Sequence, residues 1–150
     1  MKNSYIHLAL LLSLVCCQKK NNTASDQFHG MWKMDKHEIL DSATGRWLLD
    51  STRIGITGYV IYDGKGHMGV QQLKAPGDSS ENNIDIVYFC TYTINESEKF
   101  VAHTKLTSTF DDVGTTVKRG FEFIGDTLIL TPHEAEGAIR IRWIRTQSSN

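Results

Sequence analysis

One arginine lies among apolar residues on a face of a predicted strand. Residues 115–123 alternate in character, and one face combines apolar side chains with Arg119. The apolar members of that face are Val117, Phe121 and Phe123. A guanidinium inside a protein is costly unless a partner meets it. Two interpretations are open: Arg119 binds an anionic ligand head such as a carboxylate, or it pairs with an internal acid or reaches solvent at a rim.

Three tyrosines are candidates to supply hydroxyl groups to the same ligand. Tyr88 and Tyr92 share one face of the segment 84–94, and Tyr62 ends an earlier apolar run. Phenolic hydroxyls both donate and accept hydrogen bonds, so they suit a polar ligand head in an apolar pocket. The sequence therefore predicts a ligand site made of Arg119, Tyr88, Tyr92 and Tyr62.

The sequence contains no recognisable catalytic or metal-binding pattern. The six histidines show no paired ligand spacing, so no metal site is predicted. By alternation, His103 lies opposite the face formed by Phe100, Ala102 and Leu106, which predicts a solvated side chain. Cys90 lies on an apolar face and is interpreted as a small core residue. Serine triads, phosphate loops and paired carboxylates are missing from the sequence, so no catalytic residue or cofactor is predicted.

Residues 1–16 have the pattern of a secretory signal peptide. A positive charge precedes the apolar run from Ile6 to Val15, which is shorter than the ~20 residues that span a bilayer. The run ends in Leu-Val-Cys-Cys, which resembles a bacterial lipobox whose modified cysteine is Cys17. In that interpretation, signal peptidase II cuts before Cys17, and several acyl chains, palmitate among them, anchor the protein. An ordinary signal peptide or an apolar strand is the alternative.

Residues 17–27 are predicted to be the lipidated cysteine and a polar, flexible tether. Gln18 directly follows the anchor. In enteric bacteria an Asp at this position favours retention in the inner membrane, so by analogy Gln18 predicts the outer membrane. The sequence thus predicts a protein of the bacterial cell envelope that is attached to the membrane by lipid.

Residues 28–146 are predicted to form one all-β domain, followed by a frayed tail at 147–150. The net charge of −1 over 150 residues gives no basic field for nucleic acid. Short turns, the strongest of them Asp63-Gly64-Lys65-Gly66, separate about eight β-rich segments without a helix period. Closing such a meander removes its exposed edges. The predicted fold is a single antiparallel up-and-down β-barrel of about eight strands, whose interior is filled by side chains or holds one small ligand.

Several motifs resemble the bacterial and fungal lipocalin-like domain family. The hairpin from Gly58 to Gln71 is similar to a family hairpin pattern, and Gly30-Met31-Trp32 is similar to the lipocalin Gly-x-Trp motif. Further matches are Tyr88-Phe89, Thr91-Tyr92-Thr93, His103, Val113-Gly114-Thr115-Thr116, Arg119, Gly125-Asp126-Thr127-Leu128 and Arg142-Trp143. Gly69 and Gly120 depart from the pattern, where relatives have Ser and a second Arg. The resemblance covers roughly residues 28–145 and implies a small barrel with a central cavity, without one agreed activity.

The resemblance also implies a structural role for Gly30, Trp32 and Arg142. In lipocalins a tryptophan on the first strand packs under an arginine from the last strand and closes one end of the barrel. Here that arginine would be Arg142 or Arg140.

The expected function is binding of a small apolar or amphipathic molecule, with an anionic head as one version, at the cell envelope. The alternatives are an isomerase or lyase that uses a histidine and an arginine in the cavity, and an interaction module that binds no ligand. A continuous cavity above a few hundred cubic ångströms would favour binding. His67 or His103 facing that cavity beside Arg119 would favour an enzyme, and a filled interior would favour the interaction module.

Overall fold

A computed structural model describes residues 23–77, 85–133 and 139–147. The predicted signal peptide, Cys17, the first part of the predicted tether and residues 148–150 lie outside these ranges. Within them the chain forms α1 (Ala24–Phe28), β1 (Gly30–Asp41), β2 (Arg46–Leu49), a 3-10 turn (Ser51–Arg53), β3 (Thr57–Tyr62), β4 (His67–Leu73), β5 (Ile86–Asn95), β6 (Phe100–Ser108), β7 (Thr116–Ile124), β8 (Thr127–Pro132) and β9 (Ile139–Arg145). No helix in the described part of the chain is long and apolar enough to cross a membrane.

The strands form a closed antiparallel barrel. From β3 to β9 each strand pairs with its neighbours in the chain, and β1 pairs with both β3 and β9 to complete the ring. This ring has eight strands, and β2 is an additional strand that pairs with the far end of β1. The predicted fold class, an up-and-down barrel of about eight strands, is confirmed.

The turn between β3 and β4 is built around one carboxylate. Asp63 accepts hydrogen bonds from the backbone N–H groups of Lys65 at 2.6 Å and His67 at 2.9 Å. These backbone donors, that of His67 foremost, lower the pKa of Asp63 to about 2. Gly64 and Gly66 have φ values of 72° and 97°, which favour glycine. The Asp-Gly-Lys-Gly sequence therefore fixes the register in which Tyr62 lies opposite Met68.

The helix α1 closes one end of the barrel. Thr23 and Asp26 form a capping box at its start, each satisfying a backbone N–H of the other. Phe28 at its end is fully buried, and its carbonyl accepts a hydrogen bond from the Trp32 indole at 2.9 Å. The predicted tether ended at Gln27, but Ala24–Gln27 belong to this helix, and Ala24 is buried.

The arginine that stacks on Trp32 is Arg145, so the assignment of that role to Arg142 or Arg140 is wrong. The Arg145 guanidinium lies 4.0 Å from the centre of the Trp32 ring, and it donates to the carbonyl of His29 at 2.7 Å. In the β1–β9 pairing Trp32 is directly opposite Arg145. Arg142 differs by an odd number of positions and therefore faces the other side of the sheet.

Gly30 has the structural role that the resemblance implied, and the reason is space. A Cβ atom at Gly30 would lie 3.0 Å from Nη1 of Arg145, and φ there is 120°. The missing side chain lets Arg145 reach the backbone at the closed end of the barrel. Arg140, for its part, stacks on Trp47 at 4.4 Å and pairs with Glu38 at 2.6 Å.

Candidate ligand cavity

A cavity of about 470 Å³ occupies the half of the barrel away from α1. β1 starts beside α1 and reaches the cavity wall at His37, so the cavity opens at the opposite end of the barrel. Most of the wall is apolar, including Val60, Met68, Val70, Leu130, Ile141 and Trp143. A cavity of this size fits within the range of roughly 300–1,000 Å³ of small-molecule sites.

Arg119 on β7 lines this cavity. Its neighbours across the sheet are Val101 on β6 and Pro132 on β8. Among the described residues no carboxylate forms an ion pair with it, and its side chain makes no hydrogen bond. Pairing of Arg119 with an internal acid therefore has no support in the described residues, whereas its partial exposure agrees with the rim position that the same interpretation included. Its role towards a ligand stays a prediction.

Tyr88 also lines the cavity, and it stays neutral at physiological pH. Burial raises the pKa of Tyr88 to about 12, although the nearby Arg119 acts in the opposite direction. The Lys105 ammonium lies 5.2 Å from the centre of the Tyr88 ring. Lys105 is also paired with Asp112, which belongs to the β6–β7 connection. Tyr88 thus presents an O–H group beside two cationic side chains.

Tyr62 and Tyr92 are not part of the cavity wall. Their rings pack edge to face 5.0 Å apart, and both rings contact Phe28 at the closed end of the barrel. The Tyr62 hydroxyl is hydrogen-bonded to Nε2 of His103 at 3.0 Å, and burial raises the pKa of Tyr62 well above its usual value. The four predicted ligand residues therefore do not form one site. Arg119 and Tyr88 line the cavity, whereas Tyr62 and Tyr92 belong to the core at the closed end.

His103 faces the cavity, so its predicted place on a solvated face is wrong. It is 4% exposed, whereas Leu106, which was placed on the inner face, is 51% exposed. The pairing of β5 with β6 shifts register between Phe89 and Cys90, and Leu106 falls at that bulge. Alternation by apolar content failed because the lining of this cavity is partly polar. The resemblance to the family pattern included His103, whereas the alternation of apolar residues did not place it in the interior.

Burial holds His103 in its neutral form. Desolvation, with a contribution from the positive charge of Arg119, lowers the pKa of His103 to about 3. One ring nitrogen is already hydrogen-bonded to Tyr62. At neutral pH the side chain is thus an uncharged hydrogen-bonding group on the wall.

A second polar group on the wall was not predicted from the sequence. Nε2 of His37 on β1 is hydrogen-bonded at 3.1 Å to Oε1 of Gln72 on β4, and both residues are buried. Arg53, from the 3-10 turn, also lines the cavity, and its Nη1 is buried without a hydrogen-bond partner among the described residues. Gln72 has the same strand parity as Val70 and could have been identified by alternation. Arg53 lies in an irregular segment without the alternation of a strand, so the direction of its side chain could not be predicted.

The charges on the cavity wall do not balance. Arg53, Lys105 and Arg119 are cationic, and Asp112 is the acidic residue of the lining and pairs with Lys105. Two guanidinium groups therefore remain without a paired acid in the described part of the chain. In the same part of the chain, no group of three or more His, Cys, Asp and Glu side chains is arranged to hold a metal ion.

The fold and the cavity together define the class of protein as a closed eight-stranded antiparallel β-barrel with a partly polar internal cavity. No family model matches the chain, and no curated protein matches it. A crystal structure of fatty-acid-binding protein 1 from Echinococcus granulosus is similar, with a TM-score of 0.41 and 15% sequence identity. The match covers 81% of this chain and 99% of that one.

Proposed function

We propose that the barrel binds a small amphipathic molecule with an anionic head, and that Arg119 binds that head. The observation that carries the proposal is a guanidinium without a paired acid on the wall of a mostly apolar cavity. An uncompensated charge in such a place is unfavourable until an anion meets it. A carboxylate would form charge-assisted hydrogen bonds with Arg119, and the Tyr88 hydroxyl lies on the same wall.

Binding of decanoate, measured by isothermal titration calorimetry, tests the role of Arg119. Arg119→Gln should weaken decanoate binding by about tenfold or more, because it removes a hydrogen bond to a charged group. Decanol, which has no charge, should bind the wild type and the variant equally well. Arg142→Gln is the matched control, since that arginine does not line the cavity. If decanoate binds Arg119→Gln as tightly as the wild type, Arg119 does not bind the head.

An enzyme is the second candidate, because His103 lines the cavity together with Arg119. The geometry favours it less than binding. With a pKa of about 3, the imidazole is a weak base at neutral pH, and one ring nitrogen is engaged by Tyr62. Native mass spectrometry of the protein from its own host separates the two: a binding protein should retain one small molecule, and an isomerase or lyase should retain a substrate together with its product.

We also propose that the mature protein is anchored in the bacterial envelope through lipid on Cys17.

 The support is the lipobox-like pattern, in which the apolar run ends directly before Cys17. Five residues lie between Cys17 and Thr23, so the start of α1 would lie within about 20 Å of the anchor. Since α1 closes one end of the barrel, the anchor would be attached at the closed end, away from the cavity mouth.

Labelling of cells with a palmitate analogue tests the anchor. The wild-type protein should carry the label and fractionate with the outer membrane, and Cys17→Ser should do neither. Cys90→Ser is the matched control, because that cysteine is buried in the barrel and should leave the labelling unchanged. An unlabelled wild type, or equal labelling of Cys17→Ser, would contradict the proposal.

A further inference from the structure

The cavity has a second cationic group without an ion pair among the described residues, Arg53. Arg53, from the 3-10 turn, lies close to His37, a residue of β1. The hydrogen bond between His37 and Gln72 joins β1 to β4. In the ring of eight strands, β3 is four strands away from β7, which carries Arg119. Arg53 precedes β3, and its neighbour His37 lies on β1, three strands from β7, so the two arginines reach the cavity from different parts of the barrel.

Arg53 forms no ion pair in the described part of the chain, although the buried Asp50 lies close enough to act on the same imidazole, that of His37. The nearest acid along the chain, Asp50, uses Oδ1 to accept hydrogen bonds from the backbone N–H of Thr52 at 3.0 Å and from its hydroxyl at 2.6 Å. No ion pair joins Asp50 to Arg53 among the described residues. Nη1 of Arg53 is buried without a partner, and a buried donor in that state costs free energy.

Two other polar atoms on the wall have no hydrogen-bond partner among the described residues: Nε1 of Trp143, a donor, and Oδ1 of Asp112, an acceptor. Trp143 is 2% exposed and lines the cavity. An indole N–H only donates, as does a guanidinium. Apart from Asp112, whose other carboxylate oxygen pairs with Lys105, the unpartnered groups on the wall are donors, and acceptor atoms of a ligand would satisfy them. Apolar side chains such as Leu130 and Ile141 line the space around them.

We infer that the ligand carries two anionic groups separated by an apolar body, one bound by Arg119 and the other by Arg53. This inference rests on the proposed function and names the chemical class of its ligand, an α,ω-dicarboxylate or a molecule of that pattern. Two anionic groups would balance the two arginines that have no paired acid. His37 and Gln72 would form the polar wall beside the second group.

Calorimetric titration with decanedioate and decanoate tests the second group, because the two probes share a chain length and differ by one carboxylate. The wild type should bind decanedioate about tenfold more tightly than decanoate. Arg53→Gln should abolish this preference and leave decanoate affinity unchanged, whereas Arg119→Gln should weaken both probes. Arg46→Gln is the control, since this exposed arginine on β2 does not line the cavity.

The outcomes separate the inference from the proposed function. If decanoate binds in an Arg119-dependent way and decanedioate binds no more tightly, the proposed function stands and the second anionic group is refuted. A preference for decanedioate that survives in Arg53→Gln also overturns the inference. 10-Hydroxydecanoate distinguishes charge from hydrogen bonding: affinity equal to that of decanedioate would overturn the anionic assignment. If none of these probes binds, both the proposed function and the inference are refuted.

Discussion

At the scale of single residues, the charged groups and the neutral hydrogen-bonding groups of the cavity wall are different residues. Tyr88 has a pKa of about 12 and His103 has a pKa of about 3, so both are neutral over the physiological range. The uncompensated charge comes from Arg119 and Arg53, which have no ion pair in the described part of the chain. Recognition of an anion therefore depends on the two arginines, and the neutral groups would orient it.

The residues that could be identified from the sequence are those on regular strands. Arg119 was found because β7 alternates without a break, so its inward direction followed from its apolar neighbours. Arg53 was missed because a 3-10 turn gives no such period. Arg145 was missed for another reason: its partnership with Trp32 depends on the β1–β9 register, which joins the two ends of the chain.

At the scale of elements, α1 decides how much of the barrel is open. Its Phe28 ring lies 5.1 Å from the ring of Phe121 and 5.1 Å from that of Phe123, and 4.9 Å from that of Tyr62. These aromatic contacts fill the closed end, so the cavity is confined to the other half. Five residues cannot form a stable helix on their own, so α1 depends on its capping box and on this packing.

Phe28→Ala should therefore destabilise the whole barrel. Truncation of a fully buried Phe removes its packing and leaves a cavity, at a cost of about 3 kcal/mol in the free energy of unfolding. Urea denaturation followed by tryptophan fluorescence measures this change. Phe89→Ala is the matched control, because Phe89 is 57% exposed on the outer face, and its loss should cost under about 1 kcal/mol. Equal stability of the two variants would mean that α1 does not hold the closed end.

At the scale of the whole molecule, the strand order was predictable and the contents of the barrel were not. Turn residues such as those at Asp63 mark each hairpin locally, and a meander of about eight strands has few alternatives to closure. The cavity depends instead on side chains from strands far apart in the chain. The stacking of Arg145 on Trp32 arises only when the ring is closed, because it needs the pairing of β1 with β9.

The free energy of unfolding should fall in mildly acidic solution, because two buried histidines resist protonation in the folded barrel. Burial lowers the pKa of His37 from 6.5, and it lowers that of His103 from 6.5 to about 3. The unfolded chain binds these protons more readily, so the stabilisation is complete above pH 6.5 and is lost as the pH falls towards 3. Between pH 7 and pH 4.5 the loss should be about 2 kcal/mol, measured by urea denaturation.

The pH range in which stability is lost identifies the groups that cause the loss. Asp63, with a pKa lowered to about 2 from 3.8, loses its contribution only below about pH 4, so the loss above that pH belongs to the histidines. His103→Gln should reduce the pH dependence between pH 7 and pH 4.5 and leave the contribution of His37, whereas His133→Gln, on the exposed surface, should leave it unchanged. A wild-type stability that is constant down to pH 4.5 would show that neither buried histidine is held neutral by the fold, and the neutral cavity wall beside Arg119 would then be wrong.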